Sequence, residues 1–174
     1  MLLGISGSLR KDATNTALIR EAARLYGGPF TQANLRFPLY DNDVEIAEGI
    51  PAAVQLLADQ IEAAKAIVIS TPEYNQSLSG VLKNALDWVS RVKGAPWRDT
   101  PVVLMSAAAG RSGGARANYA LRLAMTSFRP RLLTAELLVA DARNQFEADG
   151  TLKEGRYLTS LTQLMQALKD EAAR

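Results

Sequence analysis

The chain contains no cysteine and no histidine. The first absence excludes disulfides, thiol nucleophiles and thiolate metal sites, and the second removes the commonest general base and metal ligand. Chemistry here has to run without either. Long apolar runs are missing too: no stretch approaches membrane-spanning length, and the opening "MLLGISGSLR" has neither a charged leader nor a small-residue cleavage site. Neither a membrane span nor a signal peptide is expected, and a cytoplasmic location is the expectation. Runs of like charge are also lacking. The formal charge of +2 is scattered, so a nucleic-acid partner is not implied.

What is present is the composition of an ordinary globule, 48% hydrophobic and 22% charged over 174 residues. Single cores commonly serve chains up to about 200 residues, so residues 1–174 are expected to form one domain. No internal repeat or low-complexity segment is visible.

Short apolar runs alternate with stretches of helical period, the pattern of βα units on a parallel sheet. Strands are expected at Leu2 to Ser6, Gln32 to Phe37, Ala66 to Thr71, Pro101 to Ala108 and Leu132 to Ala140. Helices are expected from Thr14 to Tyr26, after Pro51, after Ser79, around Ala117 to Phe128, and around Tyr157 to Leu168. Thr14 or Asn15 is the expected cap of the first helix and Ser77 or Ser79 that of the third. The segment "PLYDNDVEIAEGIP" reads as an acidic, turn-rich loop, and Lys83 and Asp87 as a surface pair.

Strand polarity orders the sheet. The first, third and fourth runs hold no charge, as strands flanked on both sides require, whereas the second carries Arg36 and the fifth Glu136. Those two belong at the edges. The order 2-1-3-4-5 follows, a five-stranded parallel sheet in a three-layer α/β sandwich of flavodoxin-like type. Such sheets bind ligands beyond the carboxyl ends of the strands where the winding reverses, here between the first and third strands.

Two loops flank that point. "SGSLRKDATNT" joins a strand to a helix and combines helix N-terminal amides with Ser8, Arg10, Thr14, Asn15 and Thr16, the groups that hold a phosphate. The plainer reading is a polar connection with an ordinary cap. Neither a Walker-type nor a dinucleotide G-x-G-x-x-G spacing is present. "TPEYNQS" offers Pro72, Glu73, Tyr74 and Asn75, which suit the face and edge of a flat heteroaromatic ring; its plainer reading has Pro72 ending the strand and Glu73 exposed. A third loop, starting at Ser106, packs Gly110, Gly113 and Gly114 into five residues and lets backbone approach a ligand. One ligand with a phosphate tail and a planar head answers all three loops.

The segments "GSLRK…TNTAL", "PLYDND", "TPEYNQSLSGVLKNALDW" and "GRSGGARA" resemble, in order and over most of the chain, the NADPH-dependent FMN reductases, which include quinone, chromate and azo-dye reductases. The resemblance implies a flavodoxin-like fold holding FMN, and a homodimer or homotetramer with the flavin near the subunit contact. The phosphate would sit on Ser8, Arg10, Asn15 and Thr16. Pro72, Glu73, Tyr74 and Asn75 would wrap the ring and ribityl chain, and the loop of Ser106, Gly110 and Gly113 would flank the ring's other side. NADPH or NADH would deliver hydride to flavin N5, and the electrons would pass to a quinone or similar small acceptor. No catalytic side chain is needed, because the flavin carries the chemistry.

Two positions depart from the family pattern. Ala13 stands where many relatives have a phosphate-holding serine, with Thr14 its neighbour, and Ser79 replaces a common proline at a helix start. The rival reading is a non-enzymatic flavodoxin-type electron carrier; such carriers tend to have strongly acidic surfaces, and the formal charge of +2 argues against it. A phospho-acceptor receiver domain would need acidic residues after "LLGIS" and has none there. Trp88 is expected to pack within its own domain or at a dimer contact. The loops around Trp97 and "PLYDND" are expected to shape the acceptor pocket.

Overall fold

In the computed structural model, which describes residues 1–174, the charge-free runs form the buried centre of one sheet. These are β1 (Leu2–Ser6), β3 (Ala66–Thr71) and β4 (Pro101–Ala107), and every residue in them is buried. All pairings are parallel, with Gly4 opposite Val68 and Ile69 opposite Leu104. β2 (Phe30–Gln32) lies outside β1. The order is β2-β1-β3-β4-β5, as expected, with β5 (Arg131–Leu132) beyond β4 and a sixth strand also on β4, although the two charges that marked the edges, Arg36 and Glu136, lie outside the strands themselves.

The helices close both faces. α1 (Thr14–Tyr26) and α6 (Arg156–Ala172) pack Leu18, Ile19, Leu161, Leu164 and Leu168 against Val68, Val103 and Met105. α3 (Ala52–Ala63), α4 (Gly80–Val89) and α5 (Ala115–Met125) pack Val54, Ile61, Leu82, Trp88 and Leu121 against Leu3, Ile69 and Leu104 on the other side. A fully buried side chain of this size is stabilised by roughly 1.5–3 kcal/mol relative to exposure.

Three elements differ from the sequence expectation. The second strand is Phe30–Gln32, not Gln32 to Phe37, because the Asn34 carboxamide accepts from Arg36 N–H at 3.1 Å and turns the chain away after its last link, Ala33 N–H to Gly4 C=O. The segment expected to be a loop contains α2 (Asn42–Glu48), capped by Asp41 accepting from Asp43 N–H at 2.9 Å and stopped at Gly49. The single fifth strand is two short ones. β5 (Arg131–Leu132) pairs with the start of β4 and β6 (Leu137–Val139) with its end. Between them Arg122 of α5 donates to Leu133 C=O at 3.1 Å and lies 3.7 Å from the Glu136 carboxylate, drawing the intervening residues off the sheet.

Trp88 is wholly buried in its own chain and donates Nε1–H to Pro38 C=O at 2.9 Å. Asn84 bonds the same carbonyl and accepts from Tyr40 N–H, while Tyr40 stands edge-on to Trp88 with ring centroids 5.0 Å apart. The "PLYDND" segment is thereby strapped along α4. Trp97, expected near the acceptor, is buried against Phe128 by the amino end of β4, at the opposite edge from the loops discussed next.

Candidate functional site

The carboxyl ends of β1, β3 and β4 open onto a cleft of about 430 Å³, within the range of small-molecule sites. Of the expected site residues it brings together Ser8, Arg10, Asn15, Pro72, Glu73 and Tyr74. Thr16, Asn75, Ser106, Gly110 and Gly113 are not in its lining.

α1 starts at the floor of this cleft. Its cap is Ala13, not Thr14 or Asn15, and Ala13 has no side chain with which to accept; no acidic residue lies in the first turn either. The N–H groups of Thr14 and Asn15, at the positive end of a helix of 13 residues, therefore meet the cleft without a competing acceptor, while Thr16 N–H bonds Ala13 C=O at 2.9 Å. Arg10 lines the same cleft, and its guanidinium makes only a 3.5 Å contact with Asp12 C=O.

Asn15 has another task. Its amide donates to Ala107 C=O at 2.9 Å and accepts from Ala107 N–H at 3.0 Å and Ser70 Oγ–H at 2.7 Å, all buried. The side chain expected to touch a phosphate thus ties α1 to β3 and β4, and its amide is taken up within the protein. Thr16 is likewise engaged, donating Oγ1–H to Ser6 Oγ at 2.9 Å.

The "TPEYNQS" loop is a tight two-residue turn. Tyr74 and Ser77 exchange both backbone hydrogen bonds at 3.1 Å, and Asn75 and Gln76 between them have φ of 49° and 64°. Two consecutive left-handed residues define the turn type that suits twisted strands, and outside glycine it costs strain. Tyr74 is left 53% exposed on the cleft wall. Glu73 is not an idle surface charge: its carboxylate accepts from the N–H groups of Arg116 and Ala117 at 3.1 and 3.3 Å and caps α5. At the helix end of the loop, Ser79 accepts from Leu82 N–H at 3.3 Å and donates to Gly7 C=O at 2.6 Å, so the cap of α4 also ties this loop to the one after β1.

The glycine loop after β4 serves packing. A Cβ on Gly113, whose φ is +61°, would lie 2.6 Å from the carbonyl carbon of Leu138. The close approach is to β6 backbone. Ser106, fully buried, donates to Gly113 C=O at 2.5 Å. The walls of the cleft on this side are Ala107, Ala108 and Ala109. Sequence reasoning missed Arg143, which joins the lining from the turn after β6, where Ala142 N–H bonds Ala108 C=O at 3.1 Å. Its signal was positional, since it follows a strand ending at the same sheet edge.

A model of NADPH-dependent FMN reductases matches residues 1–144. The chain belongs to that family. A NAD(P)H-dependent FMN reductase of Pseudomonas aeruginosa is 42% identical over 173 residues, covering 97% of this chain and 92% of the relative. A quinone reductase of Escherichia coli K12 is 43% identical over 120 residues, 67% of this chain and 64% of its own length. Among solved structures, FerB, a flavoenzyme NAD(P)H:(acceptor) oxidoreductase of Paracoccus denitrificans, superposes with a TM-score of 0.88 at 28% identity, over 99% of this chain and 96% of that one. A flavodoxin, WrbA-like protein of Agrobacterium tumefaciens superposes with a TM-score of 0.66 at 16% identity, over 99% of this chain and 96% of that one, so the fold is flavodoxin-like.

The residues present fit a flavin mononucleotide. Free first-turn amides and Arg10 form an anion cradle, an alanine-walled slot lies beside it, and a tyrosine stands on the rim. The hydroxyl that Ala13 lacks is available from Thr14, which lines the same cleft.

Proposed function

We propose that the protein is an NAD(P)H-dependent FMN reductase of quinone-reductase type, holding FMN in the cleft between Arg10 and Tyr74 and using a quinone or similar small molecule as acceptor. What carries this reading is the meeting, in one cleft of family-typical topology, of an uncapped α1 N-terminus and Arg10 with the Pro72–Tyr74 wall. These match the two ends of one ligand.

Arg10, Ser8, Thr14 and the α1 amides hold the phosphate and offset its charge. Asn15, Thr16, Ser106 and Gly113 set the loops in place from behind. Pro72 and Tyr74 cover the ring against water, and Asn75, next to Tyr74 but outside the cleft lining, offers an amide with both donor and acceptor to a ring edge that reaches past the rim. Tyr74 N–H already closes the turn onto Ser77, so the Asn75 N–H and side chain remain to stabilise negative charge on the reduced ring. When bound, FMN supplies the two-electron chemistry that takes hydride from the nicotinamide and returns electrons to the acceptor. No protein acid or base has to take part, which suits a chain without histidine.

The chain works as a homodimer or homotetramer. In support, five of the seven exposed large apolar residues, Leu39, Ile46, Leu56, Tyr119 and Leu123, lie on α2, α3, α5 or the segment before α2, the other two, Leu9 and Tyr74, lie on the loops after β1 and β3, and α1 and α6 expose none. No helix is long and apolar enough to cross a membrane, and we place the protein in the cytoplasm, where reduced nicotinamides are supplied. The test is direct. The purified protein should show a flavin spectrum, natively or after adding FMN, that bleaches anaerobically with NADPH or NADH and recovers on adding quinone. A protein that takes up no FMN refutes the reading, and sedimentation velocity decides the assembly.

A further inference from the structure

Beside the flavin cleft lies a second hollow of about 400 Å³. It shares Ser8, Arg10 and Tyr74 with the first, so one ridge separates the two. Its electrostatics differ. Asp12 and Glu73 line the first cleft, whereas no carboxylate lines the second, and its titratable groups are Arg10, Arg36 and the Tyr74 phenol. Neither arginine is in an ion pair; the pairs of the chain involve Arg24, Lys83, Arg91, Arg116, Arg122, Arg131 and Arg174.

Arg36 is nonetheless held. Its Nη2 donates to Leu9 C=O at 3.0 Å, which fixes the guanidinium at the rim and leaves most of its five donors without a protein acceptor. Leu9, Tyr74 and Val81 add apolar wall. The floor is open at Gly80, where an added Cβ would meet nothing within 4 Å. Two permanent cations with no counter-ion on a partly apolar hollow select an anionic ligand with a flat organic body.

We propose that this hollow docks the phosphate-bearing part of the reducing dinucleotide, with Arg36 as the residue that recognises its charge, the nicotinamide reaching the flavin across the Ser8, Arg10 and Tyr74 ridge. The inference rests on the FMN reductase reading. Arg10 touches both hollows and cannot separate them; Arg36 lines only the second.

The experiment follows anaerobic bleaching of the FMN-loaded protein by NADPH and by 1-benzyl-1,4-dihydronicotinamide, a neutral hydride donor without phosphates. For Arg36→Gln the NADPH concentration at half-saturation rises at least about tenfold, the loss of one charge-assisted contact, with the limiting rate preserved. Half-saturation by the neutral donor and the Kd for FMN stay put. A second variant works by repulsion. Gly80→Glu sets a carboxylate in the open floor at a helix position that favours acidic residues, so folding is spared, and it weakens NADPH in the same way while Gly80→Gln does not.

Unchanged NADPH saturation in both Arg36→Gln and Gly80→Glu, or equal losses with the neutral donor, overturns the inference while leaving the FMN reading intact. So does a defect confined to reoxidation by an anionic acceptor such as ferricyanide, which would assign the hollow to the other substrate. A wild-type protein that binds no FMN overturns both.

Discussion

Replacing Asn15 by alanine separates a residue that touches the flavin phosphate from one that builds the site. In the structure the Asn15 amide makes three buried hydrogen bonds, two with Ala107 backbone and one with Ser70. Alanine would orphan Ala107 N–H, Ala107 C=O and the Ser70 hydroxyl. An unsatisfied buried group costs about 1–3 kcal/mol. The hydroxyl can turn to another acceptor, but the two backbone groups cannot, so a total of about 3–5 kcal/mol is expected. That is a large share of the roughly 5–15 kcal/mol that keeps a domain folded, and it corresponds to a melting point lower by roughly 6–20 °C for a chain of this size. Urea unfolding of the flavin-free protein should show the midpoint falling with its slope unchanged. Asn15→Asp should be no better, because it keeps the acceptor, loses the donor to Ala107 C=O and buries a charge. The reasoning is refuted if Asn15→Ala costs the flavin-free protein less than about 1 kcal/mol yet lowers FMN affinity a hundredfold or more. That result would return Asn15 to the phosphate shell.

Other perturbations read other parts of the site. Arg10→Ala removes a charge-assisted grip worth about 1.5–3 kcal/mol and should raise the Kd for FMN roughly tenfold to a hundredfold, measured by quenching of flavin fluorescence, with little change in the unfolding midpoint of the flavin-free protein. Gly113→Ala forces a side chain onto a residue at φ +61° and against Leu138 backbone; a loss of about 1–3 kcal/mol should appear in thermal unfolding before any flavin is added. Arg91, and then Tyr40, bond the Glu45 carboxylate and hold its pKa below the usual carboxylate value. A depressed folded value means the stabilisation is present above the unfolded pKa, about 4.3, and is lost as pH falls through the lower folded value. Unfolding midpoints of the wild type and Glu45→Gln should therefore converge from pH 6 toward pH 3 rather than stay parallel.

What the sequence made legible was whatever depends on a one-dimensional pattern of polarity. Uncharged runs at the first, third and fourth strands mark the buried centre of the sheet, and the order and switch point followed once the other two were set at the edges, although the charges used for that, Arg36 and Glu136, lie beside the strands and not in them. Part of what was missed was written locally but read wrongly. Asp41 as cap, acidic residues in the next turn and Gly49 as stop specify α2, although no residue of that helix is buried, so its apolar period was too weak to notice. The break in the last strand was not local at all, since it depends on Arg122 from a helix that precedes it.

The site follows the same division. Ser8, Arg10, Pro72 and Tyr74 were recognisable because loop position at the sheet's carboxyl edge is itself a sequence property. The roles of Asn15, Glu73 and Ser106 were not, because a polar side chain in a loop carries no mark of whether its partner is a ligand or another loop. Here it is largely the rest of the fold: Asn15 reaches β3 and β4, Glu73 reaches α5, Ser79 reaches the loop after β1. Much of the polar composition that signals a binding site thus lies one layer beneath it. That layer sets the α1 terminus and the Tyr74 turn in fixed relation across the cleft. It follows that substitutions in this layer should change stability and ligand affinity together, whereas those at Arg10 and Arg36 should change affinity alone.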